Sequence, residues 1–371
     1  MKTKMYKSFE IKNFRCFSEL KIQNFERINL IVGKNNVGKT ALLEALLIHS
    51  GGYDPQMFVK VNEPRGIIEY IRDRYAPSQI IRYLLESSFY KFNTQIPIEM
   101  IGEIKKGNQT LKHKLTFKSI SDKTEIEKLN LTIYSQQIKA TDPLISGFEQ
   151  IFELSYEEDG KKGKIYLLIT QEGKTIPSSS LPPPHFKAVF VSTRARSTEL
   201  EAAIFSKLKL EDKNKIEQVL KFLNIIEPKL EKIEILTIGG VPILCGDIGI
   251  GKLLPLSLMG EGISRLTSFL LYIGTVAGGL VLIDEIENGF HYSVLKRVWE
   301  AIATAAREFD VQVFATTHSL ECIAAAHQAF SKAENYDFKL YRLERIEGKI
   351  EAIEYDKQTL DSALKMDLEV R

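Results

Sequence analysis

Short stretches of alternating apolar and polar residues open the chain and then give way to a helical pattern. Residues Phe9–Phe14 alternate, and Leu20–Asn24 and Ile28–Val32 have the composition of strands. A glycine-containing turn follows, after which apolar residues recur at helical spacing from about Lys39 to His49. The first fifty residues therefore predict strands, a loop and a helix in that order.

The pattern changes between residues 51 and 186. Residues 67–92 contain two short amphipathic helical patterns, and residues 96–170 alternate like antiparallel strands, with a turn signal at Asp159-Gly160. The run Ser178–Pro184 ends in three prolines and predicts a boundary. We interpret residues 51–186 as an inserted lobe of helices and antiparallel strands.

Strands and helices alternate again after residue 187. Thr198 and Glu201 have capping-box spacing, which predicts a helix start. The further predicted elements are a helix over 211–224, a hairpin over 233–247, a helix from about 262, a strand over 280–283, a helix around 294–302, a strand over 311–316 and a helix from 320.

This alternation of strands and helices is typical of a largely parallel α/β sheet. The sequence thus predicts a core split between residues 1–50 and 187–355, a short helical arm over 198–235 and a C-terminal tail over 356–371.

Composition and charge exclude little. The chain has 371 residues, of which 44% are hydrophobic and 26% charged, as in ordinary globular proteins. Its 50 Lys and Arg against 48 Asp and Glu give a net charge of +2, which argues neither for nor against nucleic acid. The lysine runs Lys105-Lys106 and Lys161–Lys164 lie in predicted turns, where solvation explains them.

Cysteine usage and hydropathy indicate a cytoplasmic protein. Cys16, Cys245 and Cys322 are far apart and form no CxxC pair, so neither a disulfide framework nor a thiolate zinc site is expected. Residues Leu266–Ile283 carry no charge and approach the length of a membrane span. Three glycines interrupt that run, so we expect a helix, a turn and a buried strand, and no membrane partner.

A complete phosphate-loop motif, GxxxxGK[ST], starts at Gly33 and ends at Thr40. Its glycines allow backbone N–H groups to wrap a phosphate chain at the start of a helix. Lys39 is expected to reach the β- and γ-phosphates of ATP, and the Thr40 hydroxyl to coordinate Mg²⁺. The predicted nucleotide-binding residues are Gly33, Lys34, Asn35, Asn36, Val37, Gly38, Lys39, Thr40 and Ala41.

Two later strands end in residues suited to the same chemistry. The apolar run Leu280–Ile283 leads into Asp284 and Glu285, a pattern that places carboxylates at the edge of a parallel sheet where ligands bind. We expect Asp284 to hold Mg²⁺ through water and Glu285 to act as general base. His318 follows the next strand and is predicted to sense the γ-phosphate; the alternative is a structural histidine.

The order of these motifs resembles that of the SMC/RecF/OLD-type ABC ATPases. The resemblance rests on Phe9–Phe17, the phosphate loop, Asp284–His291 and Thr316–Ser319, and it covers about residues 5–50 and 187–345. More narrowly, the chain looks like the AAA-family ATPases grouped with the overcoming-lysogenization-defect (OLD) proteins. The resemblance implies an α/β P-loop fold of ABC/SMC-head architecture, with a mixed sheet, an antiparallel β lobe and a helical insertion.

The resemblance also implies sites that meet a second subunit. Residues Glu287–His291 would form the D-loop, and Leu258–Arg265 occupies the place of the ABC signature, which caps the γ-phosphate of the partner. Gly260 and Gly262 would present backbone N–H groups there. Gly260 stands in place of the usual serine and Glu261 in place of a glycine, which weakens the expected dimerisation and keeps open the alternative of a simple loop.

Some family features cannot be assigned from the sequence. Gln56, Gln79 and Gln95 are all candidates for the Q-loop glutamine, and Arg194 stays unassigned. No sustained heptads predict long coiled-coil arms. About sixteen residues follow Tyr355, too few for the Toprim nuclease domain of OLD nucleases.

Three functions are therefore compared. The first is an ATP-driven switch that closes as a head-to-tail homodimer or larger homo-oligomer and regulates a separately encoded effector, expected to be a nuclease, in antiphage defence. The second is a RecF-like DNA-repair or DNA-structure clamp. The third is a non-catalytic scaffold, which the complete set Lys39, Thr40, Asp284, Glu285 and His318 disfavours.

Overall fold

The described strands form three sheets. The computed structural model describes residues 4–62, 75–122, 124, 129, 150–184, 186–192, 197–331, 336–366 and 368–371. Of the two helices predicted in residues 67–92, the second is observed as Pro77–Glu86. The first falls mainly on residues 63–74, outside the described residues, and Arg194 also lies outside them.

The described strands are named in chain order. They are β1 (Lys4–Phe14), β2 (Phe17–Ile22), β3 (Ile28–Val32), β4 (Ile98–Lys106), β5 (Gln109–Ile120), β6 (Gln150–Glu158), β7 (Lys161–Ile169), β8 (Thr175–Pro177), β9 (Ala188–Val191), β10 (Lys232–Ile238), β11 (Val241–Asp247), β12 (Leu254–Pro255), β13 (Leu280–Ile283), β14 (Gln312–Thr316), β15 (Phe338–Ile346) and β16 (Lys349–Tyr355).

The described helices are named in the same way. They are α1 (Lys39–Ser50), α2 (Met57–Lys60), α3 (Pro77–Glu86), α4 (Thr198–Glu211), α5 (Lys213–Leu223), α6 (Glu261–Thr275), α7 (Leu295–Glu308), α8 (Leu320–Ser331) and α9 (Lys357–Lys365). The cap of α4 differs from the predicted one, because the Ser197 hydroxyl, one residue before Thr198, accepts the N–H of Leu200.

A six-stranded sheet forms the predicted parallel core, in the order β16-β15-β3-β14-β13-β9. Only β16 runs antiparallel to its neighbour. Strands β3, β13 and β14 are buried along their whole length, as expected for parallel strands covered on both faces. Ile283 lies opposite Ala315, and Thr316 lies opposite Ile31, so three strands end together at one edge.

An antiparallel sheet of seven strands lies against this core, in the order β2-β1-β4-β5-β6-β7-β8. Strand β1 pairs with β4 from Lys4 opposite Lys106 to Lys12 opposite Glu99. The sheet therefore crosses the boundary predicted at residue 50: β1 and β2, which we assigned to the ATPase core, share a sheet with the strands of the 51–186 lobe.

Helix α1 fills the space between the two large sheets. Its apolar side chains, among them Leu42 and Leu46, share a buried cluster with Phe9 and Ile11 of β1 and with Phe314 of β14. Even the polar side chains of Glu44 and His49 are buried. The helix that follows the phosphate loop is thus held on opposite sides by different sheets.

The uncharged run Leu266–Ile283 is a buried helix, a turn and a buried strand, as predicted. Eleven residues of α6 are buried, and β13 follows after the turn at Gly278. No helix in the described part of the chain is long and apolar enough to cross a membrane.

The last sixteen residues are more structured than the predicted tail. Helix α9 places Leu360 in the main core cluster, and Val370 joins the same cluster; both are fully buried. The segment predicted as an arm likewise packs on the core, because Phe205 and Leu208 of α4 belong to the same buried cluster. Both segments therefore belong to the body of the fold.

A glycine of β4 provides a test of the packing between α1 and the antiparallel sheet. A Cβ at Gly102 would lie 2.6 Å from Cε1 of His49 and 2.8 Å from a ring carbon of Tyr6. We expect Gly102→Ala to lower the free energy of unfolding by about 1–3 kcal/mol through overpacking, measured from urea midpoints.

The matched control for Gly102→Ala is the same substitution in a His49→Ala background. Removal of the imidazole opens the space that the new methyl group needs, so the added cost of Gly102→Ala should shrink there. Equal losses of unfolding free energy in both backgrounds would show that the contact with His49 is not the reason for glycine at position 102.

Candidate nucleotide-binding site

The phosphate loop joins β3 to α1 with a backbone that only certain residues tolerate. Gly33 and Gly38 have φ of 139° and 105°, and Asn36 has φ of 62°. A Cβ at Gly38 would lie 2.6 Å from both the Cys16 Sγ and a ring carbon of Phe17. Glycine is therefore required at position 38 by conformation and by space.

The N-terminus of α1 is left uncapped by side chains. Gly38 is the N-cap residue and supplies no side-chain hydrogen bond. By contrast, the helices that begin at Thr198, Lys213 and Lys357 are capped by a Ser or Asp side chain. Free N–H groups at a helix start, together with the helix dipole, favour an anion such as a phosphate.

The Asp284 carboxylate connects the phosphate loop to strand β14. The Thr40 hydroxyl donates to Oδ2 of Asp284 at 3.0 Å, and the Thr316 hydroxyl donates to its Oδ1 at 2.6 Å. Hydroxyl and carboxylate oxygens from β13, β14 and α1 therefore converge at the shared edge of the parallel sheet. Oxygen donors of this kind suit Mg²⁺.

Glu285 is held in an unusual backbone conformation by three neighbours. Its φ is 49°, in the left-handed region that non-glycine residues rarely adopt. Its N–H donates to the Thr316 hydroxyl at 2.8 Å, and its carbonyl accepts from Arg265 Nη2 at 3.2 Å. The Asn288 amide donates to its carboxylate at 2.7 Å. Strained residues persist where surroundings enforce them, often at functional sites.

The Lys39 ammonium group folds back over the phosphate loop. It donates to the carbonyl of Gly33 at 2.7 Å and to that of Lys34 at 3.1 Å. Burial lowers the pKa of Lys39, and the carboxylates of Asp284, Glu285 and Glu287 oppose that shift. The ammonium group is thus placed among three carboxylates, at the end of the loop that would receive phosphate.

These residues border a cleft of about 650 Å³, large enough for a nucleotide. Of the predicted binding residues, the cleft is lined by Asn35, Asn36, Gly38, Lys39, Thr40, Ala41, Asp284 and Glu285. Gly33, Lys34 and Val37 form the loop without lining the cleft, and Gly260, Gly262 and His318 also lie outside the lining.

Arg15 and Glu44 form a buried ion pair in the wall of the cleft, with 3.3 Å between Arg15 Nε and Glu44 Oε2. Arg15 also donates to the Asn62 side chain at 2.8 Å and to the Ser87 hydroxyl at 3.1 Å. Residues 62 and 87 belong to the lobe predicted over 51–186. The cleft is therefore built against that lobe.

The segment predicted as the signature is exposed at Leu258, Gly260 and Glu261 and buried from Ile263 to Arg265. Gly260 is the N-cap of α6, again without a side-chain cap, and Gly262 lies close to the Phe290 ring and the Gly289 carbonyl. The Glu261 carboxylate lies against Gly289, where a Cβ would be 3.0 Å from its Oε1. The loop thus packs on the turn predicted as the D-loop.

None of the candidate Q-loop glutamines lines the cleft. The Gln56 amide donates to the Thr175 carbonyl, the Gln79 side chain accepts the Ala76 N–H, and the Gln95 N–H donates to Asn93. Each of these three glutamines therefore makes its contact within the lobe rather than in the cleft.

Sequence reasoning missed several residues that shape the site. Thr316, Asn288 and Arg265 lay inside recognised motifs, but the sequence assigned none of them a role of its own. Arg15 follows Phe14 in the opening motif, where its type alone favoured no contact. These residues act through contacts between distant segments, which spacing does not reveal.

Two protein-family models match the chain. A model described as an AAA ATPase domain matches residues 5–182. A second, described as an AAA domain, putative AbiEii toxin, Type IV TA system, matches residues 173–324.

Similar proteins point in the same direction. The chain is 27% identical over 351 residues to an ATP/GTP phosphatase of Helicobacter pylori, covering 89% of this chain and 90% of that protein. It is 27% identical over 132 residues to the DNA replication and repair protein RecF of Clostridioides difficile, covering 35% of this chain and 31% of that protein.

The fold matches a solved structure of an SMC head bound to the C-winged helix domain of ScpA. The TM-score is 0.50 at 13% identity, over 97% of this chain and 99% of that one. The fold and the site define a P-loop ATPase of SMC-head architecture, which confirms the predicted fold class. With the matches to two AAA models and to the ATP/GTP phosphatase, the chain is an ATPase.

Cys16 provides a chemical probe of the cleft. It is half-buried and lines the cleft, whereas Cys245 and Cys322 are fully buried. Burial raises the pKa of the Cys16 thiol and raises that of Cys322 to about 12. Because the thiolate is the reactive form, we expect slow labelling of Cys16 by N-ethylmaleimide that accelerates as pH rises.

ATP with Mg²⁺ should slow this labelling several-fold, measured by intact mass. A Cys16→Ser variant should remain unlabelled under the same conditions. Identical labelling rates with and without ATP would contradict a nucleotide in this cleft.

Proposed function

We propose that this ATPase is a switch: ATP binding closes a head-to-tail homodimer, and hydrolysis reopens it. The observation that carries the proposal is the separation of the two glycine loops. Gly260 and Gly262 do not line the cleft built by Gly38, Lys39 and Thr40. A capping role for them therefore requires the nucleotide of another copy.

The exposed face around the signature-like loop supports this arrangement. Leu258 is 73% exposed and Tyr292 is 68% exposed, and they flank the packed contact between Gly262 and Phe290. Large apolar side chains that are exposed to solvent beside an uncapped helix start are typical of a surface that a second subunit covers. Glu261, turned toward Gly289, leaves the N–H groups of the loop clear of its carboxylate.

The residues fit a magnesium ion. Thr40 Oγ1 and the Asp284 carboxylate lie 3.0 Å apart, and Mg²⁺ in nucleotide sites takes a few protein oxygens together with phosphate oxygens and waters. When bound, the ion would neutralise charge on the transferring phosphate. In the proposed role, Thr40 coordinates it and Asp284 holds it through water.

The other residues of the site have proposed roles in phosphate binding and hydrolysis. The backbone N–H groups of the loop and Lys39 hold the β- and γ-phosphates, and Glu285 orients the attacking water and takes its proton. His318 contacts the γ-phosphate. The contact between Arg265 and the Glu285 carbonyl gives α6, which carries the signature-like loop at its start, a direct link to the general base.

Lys39→Ala is expected to abolish ATP binding, because the loop loses the ammonium group that is predicted to reach the β- and γ-phosphates. Isothermal titration with ATP and Mg²⁺ measures the effect. Lys60→Ala, which removes an exposed lysine paired with Asp54, is the matched control and should bind like the wild type. Equal affinity of Lys39→Ala and wild type would contradict the assignment.

Glu285→Gln is expected to retain binding but to lower kcat by about 100-fold or more, the scale of general acid–base catalysis. It should also accumulate a dimer with ATP, seen as a doubled mass by light scattering. Glu300→Gln, at an exposed ion pair with Lys296, should leave both properties unchanged. Normal hydrolysis by Glu285→Gln would remove the residue from the general-base role.

The downstream role that we propose is regulation of a separately encoded effector, expected to be a nuclease, in antiphage defence by an OLD-like ATPase. The similarity of residues 173–324 to a model that mentions a putative toxin supports a place in such a system. Affinity capture of the Glu285→Gln protein with ATP from its own host, followed by phage plaque counts after gene deletion, tests the role. No bound effector together with unchanged plaque counts would refute it.

DNA clamping is the second candidate, favoured by the similarity to RecF and by 45% identity over 51 residues to the Rad50 ATPase of Archaeoglobus fulgidus, 14% of this chain and 6% of that protein. The outer face of the antiparallel sheet gives it little support. Four of its lysines are paired with glutamates on neighbouring strands: Lys114–Glu99, Lys118–Glu153, Lys162–Glu157 and Lys164–Glu153. Salt-dependent DNA affinity that strengthens with ATP would favour the clamp.

A further inference from the structure

His318 contacts Glu287, a residue for which the family resemblance implied a different role. Oε1 of Glu287 accepts the backbone N–H of His318 at 3.1 Å and lies 3.0 Å from Nδ1 of the same residue. The family resemblance placed Glu287 in the loop that crosses to a partner. Its side chain instead turns inward, to the histidine of its own subunit.

The environment of the Glu287 carboxylate makes this contact its principal anchor. The Glu287 side chain is 10% exposed, whereas that of His318 is 54% exposed. Oε2 of Glu287 is buried and has no hydrogen-bond partner among the described residues. Since a buried carboxylate is costly without hydrogen bonds, the backbone N–H of residue 318 and the ring beside it stabilise the carboxylate at this position.

Both backbone segments are fixed independently of this contact. Thr317 N–H donates to the Ile31 carbonyl at 3.1 Å, and Ile286 N–H donates to the Thr316 carbonyl at 3.0 Å. The Ser319 hydroxyl accepts the N–H of Cys322 and anchors the start of α8. The main freedom left at position 318 is the rotation of the imidazole, which the Glu287 contact restricts.

The short distance also favours one placement of the ring hydrogen. A carboxylate oxygen offers only lone pairs, so a lone pair on Nδ1 at 3.0 Å would be repelled, whereas a hydrogen there would be attracted. The hydrogen bond made by one ring nitrogen sets the state of the other. Nε2 is then the nitrogen left for the nucleotide: it accepts a hydrogen bond in the neutral ring and donates only when the ring carries a second proton.

We propose that Glu287 is a positioning residue that fixes the orientation and the Nδ1–H tautomer of His318, so that the ring meets the nucleotide through Nε2. The tautomer follows from the contact alone, and the effect on turnover rests on the proposed function. The exposed remainder of the predicted D-loop, Gly289 and His291, is then the part available to a partner.

The tautomer is tested directly, without reference to activity. Long-range ¹H–¹⁵N spectra of histidine-labelled protein report the state of each of the six histidines, and His318→Ala identifies the signal of residue 318. We expect an Nδ1–H pattern in the wild type and in Glu287→Gln, whose amide oxygen still accepts. Glu287→Ala should shift the signal to the Nε2–H form. An Nε2–H pattern in the wild type would overturn the proposal.

Turnover is tested by a double-mutant cycle. Glu287→Ala and His318→Ala should each lower kcat at least tenfold with little change in KM, and the double variant should lose no more than either alone. Glu287→Gln should recover most of the loss. Multiplicative losses in the double variant would show that Glu287 acts elsewhere and would refute positioning.

Glu321→Ala is the matched control, because this carboxylate begins the next helix and bonds to Ser319 rather than to the ring. It should leave both the His318 spectrum and kcat unchanged. If His318→Ala itself hydrolyses ATP normally, the proposed role of His318 fails, while the spectra still decide the role of Glu287.

Discussion

The burial of α1 between the parallel core sheet and the antiparallel sheet is the constraint on which the candidate nucleotide site depends. At the N-terminal end of the helix, Gly38 packs against Cys16 and Phe17. At the C-terminal end, Nδ1 of His49 accepts the Tyr6 hydroxyl at 2.7 Å and its Nε2–H donates to the His113 carbonyl at 3.1 Å. A helix held at both ends presents its first N–H groups to the cleft in a fixed direction, which preorganises an anion site.

The same constraint connects the two sheets. The side chain of Gln312, at the start of β14, accepts the N–H of Tyr6 at 2.8 Å and donates to its carbonyl at 3.0 Å. Strand β14 ends at Thr316, whose hydroxyl bridges the Asp284 carboxylate and the Glu285 N–H. One strand therefore anchors the antiparallel sheet at its start and, at its end, the Asp284 carboxylate and the Glu285 backbone. Movement of that sheet relative to the core would therefore displace β14 and the contacts at its end.

Sequence patterns predicted the parts of the fold that are determined locally. The phosphate loop, the strand before Asp284 and the hairpin turning at Gly239-Gly240 all carry short-range signals, and the structure contains these elements. The extent of the antiparallel sheet was not predictable, because the pairing of β1 with β4 joins segments some ninety residues apart whose alternation fits several partners. The packing of α9 was missed because nine residues give a weak helical pattern.

Within the site, the sequence identified the charged residues that end a predicted strand. It did not identify the residues that contact and position them. Asp284 and Glu285 follow an apolar strand and were found. Asn288 and Arg265 matter because a left-handed backbone at Glu285 turns its carboxylate toward one and its carbonyl toward the other. No spacing rule encodes such a turn, since a non-glycine residue with positive φ is stabilised by its surroundings rather than by its own preference.

That turn places Glu285, the proposed general base, in contact with two separate elements of the fold. Thr316 fixes the Glu285 N–H from the core of the sheet, while Arg265 reaches its carbonyl from the helix that begins at Gly260. Because the strained backbone persists only while its neighbours hold it, displacement of α6 would remove a support of the Glu285 carbonyl, whereas the contacts of Lys39 with the phosphate loop do not involve α6. With Glu285 in its proposed role as general base, a second subunit that contacted the exposed start of α6 would act on hydrolysis through Arg265 rather than on nucleotide binding in the cleft of the same subunit.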